Sequence, residues 1–200
     1  MSASEVVIID SGGANLASLQ FALERLGARA HVTRDAATIG SAPRVILPGV
    51  GCAADAMRRL EAAGLIAPLR QLKQPVLGIC LGMQLLYRAS EEGSTRCLGI
   101  LPDTVRQLLP RPGLPVPHMG WNQLRAVAED PLLEGWRSGD YVYFVHSYAA
   151  PVTSSALAVA DYGTSLAALV RADNYWGAQF HPERSAHAGA RILANFLKVS

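Results

Sequence analysis

Cysteine is scarce in this sequence, charge of one sign is not in excess, and no apolar run is long enough to cross a bilayer. The chain of 200 residues holds three cysteines, Cys52, Cys80 and Cys97. An odd number with no CxxC pair fits neither a disulfide framework nor a tetrahedral zinc site. At least one thiol is therefore free, and in a cytosolic setting all of them would be. Lys and Arg number 18 against 16 acidic residues, for a net charge of +2. The basic residues are scattered singly apart from Arg58-Arg59, so there is no stripe to hold nucleic acid or a membrane surface. The opening MSASEVVIIDSGG has no basic segment and no apolar segment of signal-peptide length, which predicts a cytoplasmic protein. GxGxxG, GKS and GKT are also missing, and with them the main sequence argument for a nucleotide. No cofactor and no metal is implied.

What is present fits one domain spanning residues 1–200. Half of the residues are hydrophobic and 17% are charged, with no low-complexity tract or repeat, so a single buried core is expected. Val6 to Asp10 is continuously apolar up to its last residue, as in a strand covered on both faces. Leu16, Leu19, Leu23 and Leu26 then recur at helical spacing up to Gly27, and Ala30 to Val32 reads as a second strand. Arg44 to Leu47 is a third, broken by Pro48-Gly49-Val50-Gly51, where proline argues against a central strand and the glycines permit a tight loop. Helical patterning covers Asp55 to Ala62, continues after Gly64, and gives way at Pro75 to the strand Val76 to Ile79. Strands alternating with helices predict an α/β fold, an open and mostly parallel sheet flanked by helices. Further short strands are expected at Thr104 to Leu108, Val116 to Leu124, Tyr141 to Val145, Leu157 to Tyr162, Leu166 to Val170 and Tyr175 to Gln179. Some should pair antiparallel and extend the sheet before a closing helix from about Ala188 to Lys198.

The chemistry centres on Gly78-Ile79-Cys80-Leu81-Gly82, where a strand passes directly into helix-favouring residues. GxCxG at such a junction has the form of a nucleophile elbow, a turn so sharp that its flanks must be small. The positive end of the following helix dipole favours a thiolate there. A buried packing cysteine is the plain alternative on Cys80 alone. A hundred residues on, Gln179-Phe180-His181-Pro182-Glu183 supplies a base and an orienting acid. Proline biases His181 toward an extended backbone, so that residues two apart can face the same side and Glu183 can support the imidazole. HPE alone is a short motif, but with GxCxG in one chain it makes a triad. Leu81 N–H and a peptide of the Pro48 to Gly51 loop are candidate oxyanion donors, since both should reach the carboxyl edge of the sheet.

LPGVG, GICLGMQLL and QFHPE together resemble the triad (class I) glutamine amidotransferases, over the whole length of the chain. DSGGANLASL, PHMGWN and YFVHSY are similar to segments of one branch of that family, the glutaminase subunits of imidazole glycerol phosphate synthases. The resemblance implies a class I glutamine amidotransferase-like (flavodoxin-like) fold. It implies that Cys80 attacks the side-chain amide of L-glutamine, His181 passes the thiol proton to the leaving ammonia, and Glu183 holds His181. It assigns Gln84 and Glu92 to contact with glutamine, the backbone of His146, Ser147 and Tyr148 to the wall of its site, and Gly49, Val50, Gly51 and Leu81 to the oxyanion hole. Ammonia would pass to a separate (β/α)8-barrel cyclase subunit in a heterodimer, with Met119, Trp121, Asn122, Tyr143 and Arg184 as interface candidates. Where the family reads DYGxGNL this chain has Asp10 to Leu16 as DSGGANL. Where it reads HPEKS, Arg184 replaces a lysine expected to pair across the interface, so charge is kept but the planar fork alters the geometry.

Two other readings remain open on the residues. A stand-alone thiol hydrolase, such as a γ-glutamyl peptide hydrolase, could use the same triad, and an apolar surface near Trp121 would count against it. A non-catalytic binding module could keep the fold. Cys52 and Cys97 have no nearby histidine at ligand spacing and are read as small packing residues, and His31, His118 and His187 are read in the same way.

Overall fold

A strand that is apolar at successive positions must be covered on both sides, and β1 (Glu5–Ile9) is. The computed structural model describes residues 4–12, 16–137 and 139–199. After β1 come α1 (Leu16–Arg25), β2 (Arg29–Thr33), α2 (Ala36–Ser41), β3 (Val45–Gly49), α3 (Ala53–Ala62), α4 (Ile66–Gln71), β4 (Val76–Cys80) and α5 (Leu81–Leu85). Val6 and Ile8 join one apolar cluster with Leu19 and Leu23 of α1. Val7 and Ile9, on the other face of the pleat, join a second with Leu60 of α3 and Leu69 of α4. Ile8, Ile46 and Leu77 are fully buried, each stabilising the fold by about 1.5–3 kcal/mol relative to exposure.

The second half adds β5 (Tyr87–Ser90), β6 (Thr95–Arg96), β7 (Leu101–Gln107), β8 (His118–Gln123), β9 (Arg125–Ala126), β10 (Tyr141–His146), β11 (Tyr148–Ala149), β12 (Ala156–Asp161), β13 (Ser165–Ala172), β14 (Tyr175–Ala178) and α6 (Ala186–Phe196). The main sheet has the order β2-β1-β3-β4-β14-β13-β12-β9. β2, β1, β3, β4 and β14 run parallel, and β13, β12 and β9 follow as an antiparallel extension. Ile192 and Phe196 of α6 pack into the same cluster as α1. The expected strands therefore exist, but only part of the second half extends the main sheet. β8 and β10 pair with each other, and β11, β7, β5 and β6 form a third sheet. For the third sheet the reason lies in α5, which is five residues long and packs Met83 and Leu85 in the same cluster as Tyr87, Leu101 and Val105; β10 instead places Val142 and Phe144 in the cluster of α1. The chain leaves α5 directly into β5, so strands that pair there build a layer over the main sheet instead of lengthening it.

Two other differences from the sequence reading have local causes. Pro48 lies inside β3, a central strand, opposite Ile79. Its missing N–H costs no ladder bond, because Pro48 faces the β1 side beyond the last β1–β3 pair, Ile8 with Ile46. There its carbonyl accepts 2.7 Å from Ser11 Oγ. α2 has no counterpart in the apolar pattern because Ile39 is its one buried residue. Its signal is the cap, Asp35 Oδ2 accepting from the Thr38 N–H at 2.7 Å. In the opening-loop motif, residues 13–15 lie outside the described residues.

Candidate active site

β4 and β14 are neighbours, with Ile79 opposite Ala178, so the residues following each strand emerge side by side at the carboxyl edge. Cys80 ends β4 with φ +54° and ψ −111°. Such a backbone is rarely adopted by a side-chain-bearing residue and is the strained geometry of a nucleophile elbow. The two glycines are required by close approach. A Cβ on Gly82 would stand 1.7 Å from the Leu47 carbonyl oxygen, and one on Gly78 would stand 2.7 Å from the Gly82 oxygen. The Cys80 side chain is buried, with Sγ 3.8 Å from the Val145 carbonyl oxygen and 3.9 Å from Gln179 Nε2.

His181 follows β14, its N–H donating to the Tyr143 carbonyl at 2.9 Å. His181 is extended, but Pro182–Arg184 is a single 3₁₀ turn. Glu183 thus reaches the imidazole because the turn brings it back, not through strand alternation as the sequence suggested. His181 Nδ1 lies 2.8 Å from Glu183 Oε1, and both side chains are nearly buried. Since a carboxylate only accepts, Nδ1 carries a hydrogen and Nε2 is the end left for the thiol. Nε2 has no closed hydrogen bond, as is common before substrate tightens a site. Burial pulls the His181 pKa down, but the Cys80 sulfur and the Glu183 carboxylate together outweigh it and push it up to about 10. At neutral pH this imidazole holds its proton, which suits a donor to a leaving group.

Gly49 lies opposite Cys80 in the β3–β4 register, so the loop after β3 runs along the elbow. It packs so closely that a Cβ on Gly49 would stand 2.9 Å from that of Leu81. Gly51 takes φ +88°. A cavity of about 320 Å³ is lined by Val50, Gly51, Cys80, Leu81, Gln84, Glu92, Pro117, Val145, His146, Ser147, Tyr148 and His181. All the residues assigned to glutamine contact thus surround one opening onto the thiol. Glu92 also accepts from the Ala53 N–H at 2.6 Å, tying this wall to the start of α3. Gln84 Nε2 donates to the Tyr148 carbonyl and to Gln179 Oε1, both at 2.9 Å.

Gln179 and His118 join the site although neither was singled out for it. His146 Nδ1 donates 2.8 Å to the Tyr148 carbonyl. Asn122 Nδ2, identified as the nitrogen by its bond to the Asp161 carbonyl, donates to His118 Nε2 at 3.3 Å, so His118 Nδ1 carries the hydrogen and His146 Nε2, 2.9 Å away, accepts it. This chain requires both imidazoles to be neutral. Burial agrees, pulling each pKa down to about 4, with the Tyr148 bond opposing it for His146. The histidine within PHMGWN gives no such signal in sequence, because the partner ring is 28 positions away.

The interface candidates separate by face. Met119, at 66% exposure, and Trp121, at 53%, project outward. Trp121 packs edge-on against Tyr143, and the Arg184 guanidinium lies 4.5 Å above the Tyr143 ring. Asn122 is turned inward instead, donating to the Asp161 carbonyl at 3.0 Å as well as to His118.

Residues 7–199 match the family model for class-I glutamine amidotransferases. The chain is 56% identical over 197 residues to the imidazole glycerol phosphate synthase subunit HisH of Xanthomonas oryzae pv. oryzae, covering 98% of each chain. It is 54% identical over 196 residues to the subunit of the same name from Xylella fastidiosa, again covering 98% of each. Among solved structures, a glutamine amidotransferase superposes with a TM-score of 0.75 at 21% identity, over 96% of this chain and 97% of that one. PurLQS from Thermotoga maritima superposes with 0.71 at 18% identity, over 98% of each. The last two establish likeness of fold.

Proposed function

The chain belongs to the class-I glutamine amidotransferase family, and from that premise we propose that it releases ammonia from L-glutamine with a triad of Cys80, His181 and Glu183. It is the glutaminase subunit of an imidazole glycerol phosphate synthase and works in histidine biosynthesis. The observation that carries the triad is the strained Cys80 turned into the same cavity as His181, whose far nitrogen is held by Glu183.

Cys80 Sγ, its proton transferred to His181, attacks the amide carbon of glutamine as the thiolate, and the carbonyl oxygen becomes an oxyanion. Leu81 N–H and a peptide N–H of the Gly49–Val50–Gly51 segment bind it, each donor worth about a hundred- to a thousandfold in rate. His181 Nε2–H protonates the nitrogen, the C–N bond breaks, and ammonia leaves a γ-glutamyl thioester. Neutral His181 then takes a proton from the water that attacks the thioester, the C–S bond breaks, and glutamate departs, leaving the Cys80 thiolate beside protonated His181. Gln84 and Glu92 hold the glutamine with the backbone of His146, Ser147 and Tyr148. Glu92 supplies the negative charge that an α-ammonium needs.

Ammonia passes to a cyclase subunit, which we take to be a (β/α)8 barrel that docks on the face of Met119, Trp121, Tyr143 and Arg184. Two large apolar side chains more than half exposed on one strand favour this reading over a hydrolase that works alone. No helix among the described residues is long and apolar enough to cross a membrane; we assign the chain to the cytoplasm as a subunit of a biosynthetic enzyme. The test is glutamate release by the chain alone, then with the cyclase and its nucleotide ligand. Slow turnover that rises sharply in the complex supports the synthase. Full activity alone would favour an independent hydrolase, and silence in both would favour a binding module.

A further inference from the structure

Gln179 is fully buried one residue beyond β14. A carbonyl oxygen can only accept, so the Gln84 group 2.9 Å from the Tyr148 carbonyl must be its nitrogen. The second hydrogen on that nitrogen points to the near atom of Gln179, also at 2.9 Å, which must then be oxygen. The Gln179 nitrogen is thereby turned to the other side, where Cys80 Sγ lies at 3.9 Å. One backbone carbonyl thus fixes two amides in sequence and aims an N–H at the reacting sulfur. A thiol is a weak acceptor and a thiolate a strong one, so this contact gains strength when Cys80 ionises.

We propose that Gln179 is a positioning residue for the nucleophile, its side-chain N–H holding the Cys80 thiolate in place from behind while Gln84 fixes the direction of that N–H. This rests on Cys80 being the nucleophile, as proposed above, and gives its sulfur a donor besides His181, whereas the Val145 carbonyl 3.8 Å away can only accept from the thiol. It also gives Gln84 a task beyond touching substrate. The amide that contacts glutamine and the amide that contacts sulfur are bonded to each other, so the cavity wall and the nucleophile are set as one unit.

The test is alkylation of Cys80 by iodoacetamide across a pH series, with the modified peptide quantified by mass spectrometry. No glutamine is needed, so the result is independent of turnover. Gln179→Met keeps the volume and removes the N–H. The midpoint of the alkylation profile is expected to move upward by about 0.3 to 1 unit, the equivalent of a two- to tenfold loss for one hydrogen bond. Should Gln179→Met fail to fold, Gln84→Met carries the same test, because it leaves Gln179 in place but frees its amide to turn. A folded variant of either kind with the wild-type midpoint overturns the proposal. Failure of the glutaminase assignment reads differently: the unaltered chain would release no glutamate with its cyclase present, whatever the alkylation profile.

Discussion

Replacing Cys80 by glycine should give a more stable protein than replacing it by alanine, which reverses the usual order. At ordinary strand or helix positions glycine is the poorer residue by about 0.5–1 kcal/mol. Cys80 instead sits at φ +54° and ψ −111°, a conformation that costs a residue with a Cβ about 1–3 kcal/mol. Alanine retains that cost, and glycine removes it. Against the relief stands the larger freedom of glycine in the unfolded chain, about 0.4–1 kcal/mol. The difference leaves Cys80→Gly ahead by about 1 kcal/mol, or roughly 2–4 °C in Tm for a chain of this size. Both variants lack the sulfur, so chemistry does not confuse the comparison. Urea denaturation of the two, fitted with a common slope, measures the difference. Ala178→Gly on the neighbouring strand serves as the control and should lose stability in the ordinary direction. If Cys80→Ala is the more stable variant by the usual margin, the elbow stores no strain and the reason given for its glycines fails.

His181→Ala should lower glutamine hydrolysis by about a hundred- to ten-thousandfold, while synthesis by the cyclase from added ammonia persists; loss of the ammonia-dependent rate would instead indicate failed docking. Stability should fall on both sides of neutrality. His118 and His146, held neutral with pKa values near 4, bind more protons unfolded, so their contribution is complete above about pH 6.5 and is lost toward pH 4. His181, raised to about 10, contributes fully below about pH 6.5 and loses that contribution as pH rises toward 10, each group adding a slope of up to about 1.4 kcal/mol per pH unit. The urea midpoint followed against pH checks this, and an acid limb unchanged in His118→Phe would contradict it. Trp121→Ala should weaken cyclase binding by about tenfold or more, as expected for a large aromatic anchor, without altering the fold. Titration calorimetry showing unchanged affinity would remove Trp121 from the docking face.

The parallel half of the fold was legible because its central strands β1, β3 and β4 contain unbroken apolar runs and its longer helices carry a clear apolar face, whereas the edge strand β2 is mixed. Val6 to Ile9 and Val76 to Ile79 could be little else. α2 was not legible, since a helix with one buried residue has no period to detect. Pro48 misled for a more instructive reason. A proline is excluded from a sheet only where its N–H would be needed, and which side of a strand lacks a neighbour is a property of the topology. Likewise β7 and β8 were visible as strands, whereas β5 and β6, four and two residues long, were not, and the third sheet that β5, β6 and β7 help to form depended on where α5 delivers the chain.

At the site, the glycines flanking Cys80 and the HPE motif pointed to a nucleophile and its base. What brought them together, the adjacency of β4 and β14, is a contact between strands a hundred residues apart. His118 and Gln179 could not be assigned from sequence, because their roles follow from hydrogen-bond directions set by the Tyr148 carbonyl. Asn122 reads as a surface residue beside Trp121, yet strand alternation turns it inward to His118.

The measurement that bears most directly on the account is peptide mass spectrometry of the chain after exposure to 6-diazo-5-oxo-L-norleucine, a reactive analogue of glutamine, with the cyclase and its nucleotide ligand present. The predicted result is one adduct per chain, on Cys80 alone, blocked by excess glutamine and lost in Cys80→Ala. An adduct on Cys52 or Cys97, or undiminished labelling and glutamate release in Cys80→Ala, would contradict it.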